Sequence, residues 1–349
     1  MMKLNRIRED DYHLILHGQD HVTGLDAIVA VHNINLGPAL GGCRAVTYDS
    51  SEKHLQDALN LSEGMTYKNS LAGLDLGGGK TALNLHGKKL TEDMLKSLGD
   101  LLNEVNKYGH IYTTAGDVGT SNADLEILSK YTDAVQGFEG SDSGIATAYG
   151  VYRSMLGALK FRGQSIKNQM ISVSGFGKVG KRLGKFAADA GAFVIASDVV
   201  DPFEKTPFGH HDFPENHGYT SVDNAPGEGT VFSPCALGGA INSMSLNKMQ
   251  DGKLICGGAN NQLYSPAMND LLAEKNIDYV PDYLANAGGV IIISTRGNKL
   301  VDLEYDDPKV LPKLDNLSQV TFDVLFHSAK DGIPTSIVAN KMAEERFSK

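Results

Sequence analysis

Cysteine is scarce in this chain. The only three, Cys43, Cys235 and Cys256, form no close pair and no metal-type spacing, which argues against a disulfide framework or a zinc site as the organising device. Long hydrophobic runs are missing too. No stretch approaches the roughly 18 apolar residues of a membrane span, and the opening MMKLNRIREDDYHLIL lacks an apolar core of signal-peptide length. The expectation is a chain that is neither secreted nor inserted in a membrane, at home in a reducing cytoplasm. Positive charge is also in deficit: 32 Lys and Arg face 42 Asp and Glu, a formal charge of -10. With a pI near 5.5, the chain offers no basic face to a nucleic-acid phosphate track, and anionic membrane surfaces are disfavoured for the same reason. What remains is an ordinary globular composition, 41% apolar and 21% charged over 349 residues. That length suits two domains better than one core.

The stretch that stands out is GMTYKNSLAGLDLGGGKTALNL, Gly64 to Leu85, with Lys68 and Lys80 on either side of Gly77, Gly78 and Gly79. Three successive glycines cost backbone entropy on folding, so something must gain from them. Close approach of a small ligand to bare backbone is the expected gain, with Lys80 aimed at it from one side and Lys68, at the end of a helix, from the other. Lysine is also the cation whose pKa moves most readily on burial, which suits a base. The competing interpretation is a pair of solvated surface lysines. The apolar flanks LAGL and TALNL weigh against it.

Short apolar runs between Tyr12 and Val46 predict three strands, followed by a helix from about Glu52 to Tyr67 and a strand at TALNL. Thr91 offers an N-cap to a helix whose Met94, Leu98, Leu101, Leu102 and Val105 repeat at helical spacing. The run HIYTTAGDVGTS is a strand breaking into a glycine-bracketed turn that carries Asp117, before a helix capped near Ser121. Such an aspartate is by default a turn-former. A linker, GSDSG, leads into a helix from Thr147.

Residues 169–201 then read as strand, G-x-G-x-x-G (Gly175, Gly177, Gly180), helix, second strand and Asp198. The motif alone is weak, but every contextual demand of a dinucleotide fingerprint is met. Gly175 permits the tight turn, Gly177 lets backbone approach a pyrophosphate, and Gly180 lets the helix pack closely. Asp198 suits two ribose hydroxyls and repels a 2′-phosphate, favouring NAD over NADP. A βαβ unit that binds nothing is the alternative. The segment from Pro202 to Gly229 reads as a long irregular crossover. Its His210, His211, Asp212 and His217 carry ligand chemistry, but an open loop gives no fixed geometry and no metal is expected. Three strand-to-turn units follow, TVFSPCALGGAIN, LICGGANNQL and IDYVPDYLANAGGVIII, in which Asn260, Asn261 and Asn286 are turn residues by default. Helical patterns around LSQVTFDVLFHSAK and from Thr335 close the chain.

With these landmarks in order, LGPALGG, GMTYKN, LGGGKT, AGDVGTS, TAYGVYR, the fingerprint, SPCALGG, GGANNQL, PDYLANAGGVI, DGIPT and AEER, the chain resembles the amino-acid dehydrogenases of the glutamate, leucine, phenylalanine and valine group, its leucine-type members above all. The resemblance covers nearly the whole chain. It implies an α/β fold of two domains separated by a cleft: a catalytic domain over 1–140, with 325–349 packing back onto it, and a Rossmann-like NAD-binding domain over 141–324. It also implies NAD-dependent, reversible oxidative deamination of an apolar L-amino acid to a 2-oxo acid, in a homo-oligomer.

By the same resemblance Lys68 holds the substrate α-carboxylate, Lys80 activates water, Asp117 shuttles protons at the amino nitrogen and Asn261 orients the amino acid. Leu40, Ala115, Val290 and Ile293 line the side-chain pocket. Gly175, Gly177, Lys178, Val179, Gly180, Asp198, Cys235, Ala236, Asn260 and Asn286 hold the cofactor. In the glutamate-specific branch a lysine stands where this chain has Leu40, and a serine falls near Ile293, so glutamate is expected to be excluded. Two departures stand out: the linker before TAYG lacks the proline-containing run of leucine-type members, and the segment from Pro202 to Gly229 does not follow their helical crossover. Phenylalanine, valine or tryptophan as substrate, or an idle NAD-binding regulator that kept the fold, are the alternatives.

Overall fold

The apolar runs of the N-terminal part build one mixed sheet from β1 (Lys3–Ile7), β2 (Leu14–Asp20), β3 (Leu25–Asn33), β4 (Ala39–Val46), β5 (Gly77–Asn84) and β6 (Tyr112–Gly116), in the order β1-β2-β3-β5-β4-β6. β1, β2, β3 and β5 pair antiparallel, whereas β4 runs parallel to both β5 and β6. β1 carries no strand signature, because its residues are nearly all exposed and leave no apolar alternation. The computed structural model describes residues 2–140, 143–200, 217–297, 299–300 and 307–348.

Helices cover both faces of this sheet: α1 (Ser51–Leu71) on one, and α2 (Glu92–Val105) and α3 (Asn122–Leu128) on the other. Period-two alternation divides β3 between them. Val29 and Val31 join Leu95, Leu98 and Leu102 of α2, while Ile28 and Ala30 join Ala58 and Leu59 of α1. The expected caps are in place. Thr91 accepts from the Met94 N–H at 3.3 Å, and Ser121 forms a capping box with Asp124. β5, covered on both faces, is buried throughout.

The three glycines of β5 require a correction. They lie inside the strand, and what approaches them is the protein itself. A Cβ on Gly78 would lie 2.1 Å from the Thr66 backbone nitrogen of α1, one on Gly77 1.9 Å from the Asn33 carbonyl, and one on Gly79 2.6 Å from the Tyr112 ring. Bare backbone here admits a helix and a ring.

A second sheet is wholly parallel. β8 (Met170–Ser174), β9 (Phe193–Ser197), β10 (His217–Tyr219), β11 (Val231–Pro234), β12 (Leu254–Ile255) and β13 (Asp278–Tyr279) stand in the order β10-β9-β8-β11-β12-β13. In strand rank this is 3-2-1-4-5-6, the doubly wound order of dinucleotide-binding sheets. β10 corrects the expectation of an irregular crossover through to Gly229: His217 begins a third strand, paired with Val194. His210, His211 and Asp212 lie outside the described residues. A two-residue strand β7 (Glu139–Gly140) pairs with β14 (Lys299–Leu300). The remaining helices are α4 (Gly144–Phe161), α5 (Lys178–Asp189), α6 (Ser243–Lys248), α7 (Met268–Glu274), α8 (Asp282–Ala285), α9 (Gly288–Arg296), α10 (Leu311–Asp331) and α11 (Thr335–Phe347). Among the described residues no helix is long and apolar enough to cross a membrane.

The chain divides into two units, one of Met1–Ser141, Ile292–Asp302 and Ala343–Lys349, the other of Asp142–Ile291 and Leu303–Met342. The expected return of 325–349 onto the first domain is thereby corrected, since only Ala343–Lys349 belongs there. α10 lies along α4 in the second unit instead, so close that a Cβ on Gly157 would stand 2.1 Å from the Ser318 carbonyl.

Candidate active site

In the first unit, strand register places the key residues on one face. Leu40, Gly42 and Arg44 alternate onto the same side of β4, and Gly42 is opposite Ala115 on β6. Lys80, on β5, is opposite Ala30 of β3, which faces α1. Asp117 follows β6 in a turn pinned by Thr120, whose hydroxyl accepts the Asp117 N–H at 3.0 Å and donates to the Cys43 carbonyl at 2.8 Å. Thr120 and a bond from the Val118 N–H to the Asp117 carboxylate hold the turn, and the other partners of that carboxylate are side chains. Lys80 Nζ donates to its Oδ2 at 2.7 Å, across Gly42.

Gly42 explains the room. A Cβ there would lie 2.7 Å from Asp117 Cβ and 3.2 Å from Lys80 Nζ. Lys80 is almost wholly buried, its side chain 6% exposed against 18% for Asp117. Burial by itself pushes the Asp117 carboxyl up, but Lys80 and Arg44 outweigh it and hold the group below the ordinary carboxylate range.

Arg44 was missed by sequence reasoning. Its Nε donates to the same Asp117 Oδ2 at 3.1 Å, while Nη1 donates to both oxygens of Asp57 on α1 at 3.2 Å. The signal was there in LGGCR: period two from Gly42 puts Arg44 on the same face, and a guanidinium inside a covered sheet demands carboxylates.

Lys68 lies in the last turn of α1, half-buried, two residues beyond the Thr66 backbone that rests on Gly78. Next to it Asn69, fully buried, donates to the Gly77 carbonyl at 2.6 Å and the Leu40 carbonyl at 3.3 Å, tying this turn to β5 and β4. Leu40 on β4 and Ala115 on β6 are both buried. Ile293 belongs to the first unit, 3.3 Å from where a Cβ on Gly137 would stand, and Val290 to the second.

In the second unit the fingerprint occupies the switch point of the sheet, where β8 and β11 adjoin. Gly175 has φ +94°, and a Cβ on it would stand 2.5 Å from the Ala236 nitrogen, so the turn after β11 closes against the turn after β8. Cys235 N–H donates to the Ser174 carbonyl at 2.7 Å. A Cβ on Gly180 would be 2.0 Å from the Gly175 carbonyl, which is the close helix packing the motif predicts. Around Gly177 nothing stands within 4 Å of a Cβ. That open cradle at the start of α5, beside Lys178 and Val179, fits a pyrophosphate on a helix N-terminus.

Asp198 follows β9, with Oδ2 accepting from Phe176 N–H and Oδ1 from Val199 N–H, both at 2.7 Å. The carboxylate is thereby fixed with acceptor capacity to spare. Asn286 donates to Asn260 Oδ1 at 2.7 Å, and its own Oδ1 is buried without a partner. An orphaned acceptor suits the carboxamide N–H of a nicotinamide. Burial pushes the Cys235 thiol up, which makes it a poor nucleophile. Asn261 is exposed at φ +52°, its N–H on Asp282 at 2.9 Å. Among the described residues no cluster of three or more His, Cys, Asp or Glu is arranged to hold a metal.

The family model described as Glu/Leu/Phe/Val dehydrogenase, dimerisation domain, matches residues 13–134. That described as Glutamate/Leucine/Phenylalanine/Valine dehydrogenase matches 140–202 and 208–346. A leucine dehydrogenase of Geobacillus stearothermophilus is 39% identical over 348 residues, 97% of this chain and 91% of the relative. A valine dehydrogenase of Streptomyces virginiae is 36% identical over 343 residues, covering 95% and 92%. Among solved structures, the L-tryptophan dehydrogenase from Nostoc punctiforme superimposes with a TM-score of 0.82 at 29% identity, covering 97% of this chain and 96% of the other. The chain belongs to the glutamate, leucine, phenylalanine and valine dehydrogenase family.

Proposed function

We propose that the chain catalyses reversible, NAD-dependent oxidative deamination of an apolar L-amino acid, leucine or one close to it, to the 2-oxo acid and ammonium. The observation that carries this reading is the buried Lys80–Asp117 pair at 2.7 Å, a base and an acid joined by one hydrogen bond on the face that Leu40 and Ala115 share. Lys68 pairs with the substrate α-carboxylate as a point charge. Asp117, ionised at neutral pH, takes a proton from the amino nitrogen and releases it to solvent; the proton that Lys80 next passes to it across their 2.7 Å contact, which leaves the lysine a base, goes to the departing nitrogen. Lys80 takes a proton from the water that attacks the imine carbon and steadies the developing negative oxygen. The contact between them lets one proton pass from lysine to carboxylate. Asn261 orients the amino acid. NAD, when held by the fingerprint turn, Asp198, Cys235, Ala236, Asn260 and Asn286, supplies the acceptor for the hydride that leaves the α-carbon.

Substrate choice follows from Leu40, 2% exposed on the site face. A distal carboxylate set against it is a charge without a partner, costing several kcal/mol. The names of the relatives point the same way, to leucine, valine and tryptophan. Asp198 disfavours a 2′-phosphate by like charge. A homo-oligomer belongs to the same proposal, because the match to 13–134 is to a model described as a dimerisation domain; a monomer mass by light scattering refutes that part. The decisive assay is kcat/KM for L-leucine, L-valine, L-phenylalanine, L-tryptophan, L-alanine and L-glutamate with NAD and with NADP. Apolar substrates with NAD should lead, and leucine should beat alanine by well over tenfold at about 0.8 kcal/mol per buried methylene. Glutamate ranking first or second overturns the pocket assignment, and equal use of NADP overturns the role of Asp198.

A further inference from the structure

Both cations that reach Asp117 bind the same oxygen. Lys80 Nζ and Arg44 Nε meet at Oδ2, 2.7 and 3.1 Å away. Behind Arg44 the contacts continue: Nη1 spans both oxygens of Asp57, and Asp57 Oδ2 accepts the Tyr48 hydroxyl at 2.6 Å. A guanidinium held at both ends by carboxylates is a rigid strut, since its donors lie in one plane with a fixed spacing. The strut starts on α1 and the strand-end residue Tyr48, crosses β4 and ends on the turn after β6. Tyr48 itself stacks on His54 with ring centroids 4.7 Å apart, which fixes the outer end.

We propose that Arg44 is a positioning residue for the reaction: anchored by Asp57 and Tyr48, it locks Oδ2 of Asp117 and so presents Oδ1 to the substrate nitrogen. The proposal rests on the function proposed above. The charged and titratable groups around Asp117 are Arg44 from β4, Lys80 from β5 and, through Arg44, Asp57 from α1, with Tyr48, Cys43 and Tyr112 kept neutral by burial. Arg44 supplies two separable things to this group, a positive charge and a fixed direction.

Substitutions separate them. The measurements are kcat and KM for L-leucine as functions of pH, NADH affinity by fluorescence, and the thermal midpoint. For Arg44→Gln, kcat should fall about 10²-fold, the loss expected from a misplaced catalytic group. NADH affinity should be unchanged, and the acid limb of kcat/KM should move up by about one pH unit as the carboxylate loses a cation. Arg44→Lys should restore the acid limb but not kcat, because an ammonium keeps the charge without the two-ended fork. Asp57→Asn should lower kcat by about tenfold with no upward move of the limb, since the guanidinium keeps its charge and loses its anchor. An Arg44→Gln enzyme with wild-type kcat and limb overturns the proposal. So does a set of variants in which NADH affinity and thermal midpoint fall in step with kcat, the mark of a scaffold role. A wild type that turns over no apolar amino acid defeats the proposed function and this role with it, whereas an active wild type with an indifferent Arg44 defeats this role alone.

Discussion

A lysine and an aspartate in contact at 2.7 Å, with a side-chain exposure of 6% for the lysine, depend on each other for charge as well as for chemistry. Lys80→Ala should abolish turnover while NADH still binds, since every residue assigned to the cofactor lies in the other unit. Substantial residual kcat would remove Lys80 from its role. Asp117 carries the pH dependence. Its folded-state carboxyl is held below the ordinary range by Lys80 and Arg44 against the upward push of burial. The stabilisation it contributes is therefore complete above the unfolded carboxylate value and fades as pH falls through the lowered folded one. Asp117→Asn leaves two largely buried cations without their shared anion, and at neutral pH it should cost about 3 kcal/mol. That difference from wild type should shrink in the acid, below pH of about 4. Urea unfolding of both proteins at neutral and acid pH tests this, and a gap of equal size at both would contradict it.

At the level of elements, the site depends on where β4 has no side chains. Gly41 and Gly42 are adjacent but serve different ends. A Cβ on Gly41 would sit 1.7 Å from the Gly79 carbonyl, whereas one on Gly42 would press on Asp117 and Lys80. Gly41→Ala should therefore destabilise the sheet. Gly42→Ala should instead lower kcat by about 10²-fold through displacement of Asp117, with a far smaller change in the melting curve. Wild-type kcat in Gly42→Ala would show that the pair tolerates displacement. Much of this architecture was legible in the sequence. Thr91 and Ser121 announced their helices because a cap is a local device, and the fingerprint announced its βαβ unit because strand, glycines, helix and acid follow one another along the chain. What was not legible depends on distant partners. Gly77, Gly78 and Gly79 signal that something comes close, and a ligand and a helix leave the same mark in the sequence. Arg44 needed the register of β4 to be known before its face could be assigned. β10 is too short and too exposed at His217–Tyr219 to stand out from the loop around it. An amphipathic helix such as α10 declares that it has a partner without saying which, and for that reason residues 325–342 were assigned to the wrong unit.

Over the whole molecule, the path of the chain matters more than the order of its motifs. It passes from one unit to the other four times, and the last passage falls within α11, after Met342. The final seven residues, Ala343–Lys349, thus belong to a unit whose other main part ended some two hundred residues earlier, and their contacts converge on the end of α1. Arg346 donates to the Ser70 and Leu74 carbonyls and pairs with Asp75 at 2.8 Å. The Ser70 hydroxyl donates to the Ala343 carbonyl at 2.8 Å, the Tyr67 hydroxyl to Glu344 at 2.8 Å, and the Phe347 ring packs edge-on against Tyr67. A helix C-terminus leaves its last carbonyls without intrahelical donors; here the N–H groups of Ala72, Gly73 and Leu74 serve those of Lys68, Ser70 and Asn69, and Arg346 braces the same turn from outside. The residue between Tyr67 and Asn69 is Lys68, assigned to the substrate carboxylate. Arg346→Ala, or deletion of Ala343–Lys349, should loosen that turn and raise KM for the amino acid by about tenfold, with a smaller effect on kcat, since a carboxylate contact is made in ground and transition states alike. NADH affinity should stay at the wild-type value, because none of these contacts reaches the second unit. Parallel measurement of KM for L-leucine and Kd for NADH decides the matter. An unchanged KM would free Lys68 from any dependence on the tail, and an equal loss of NADH affinity would show general damage in place of a local clasp.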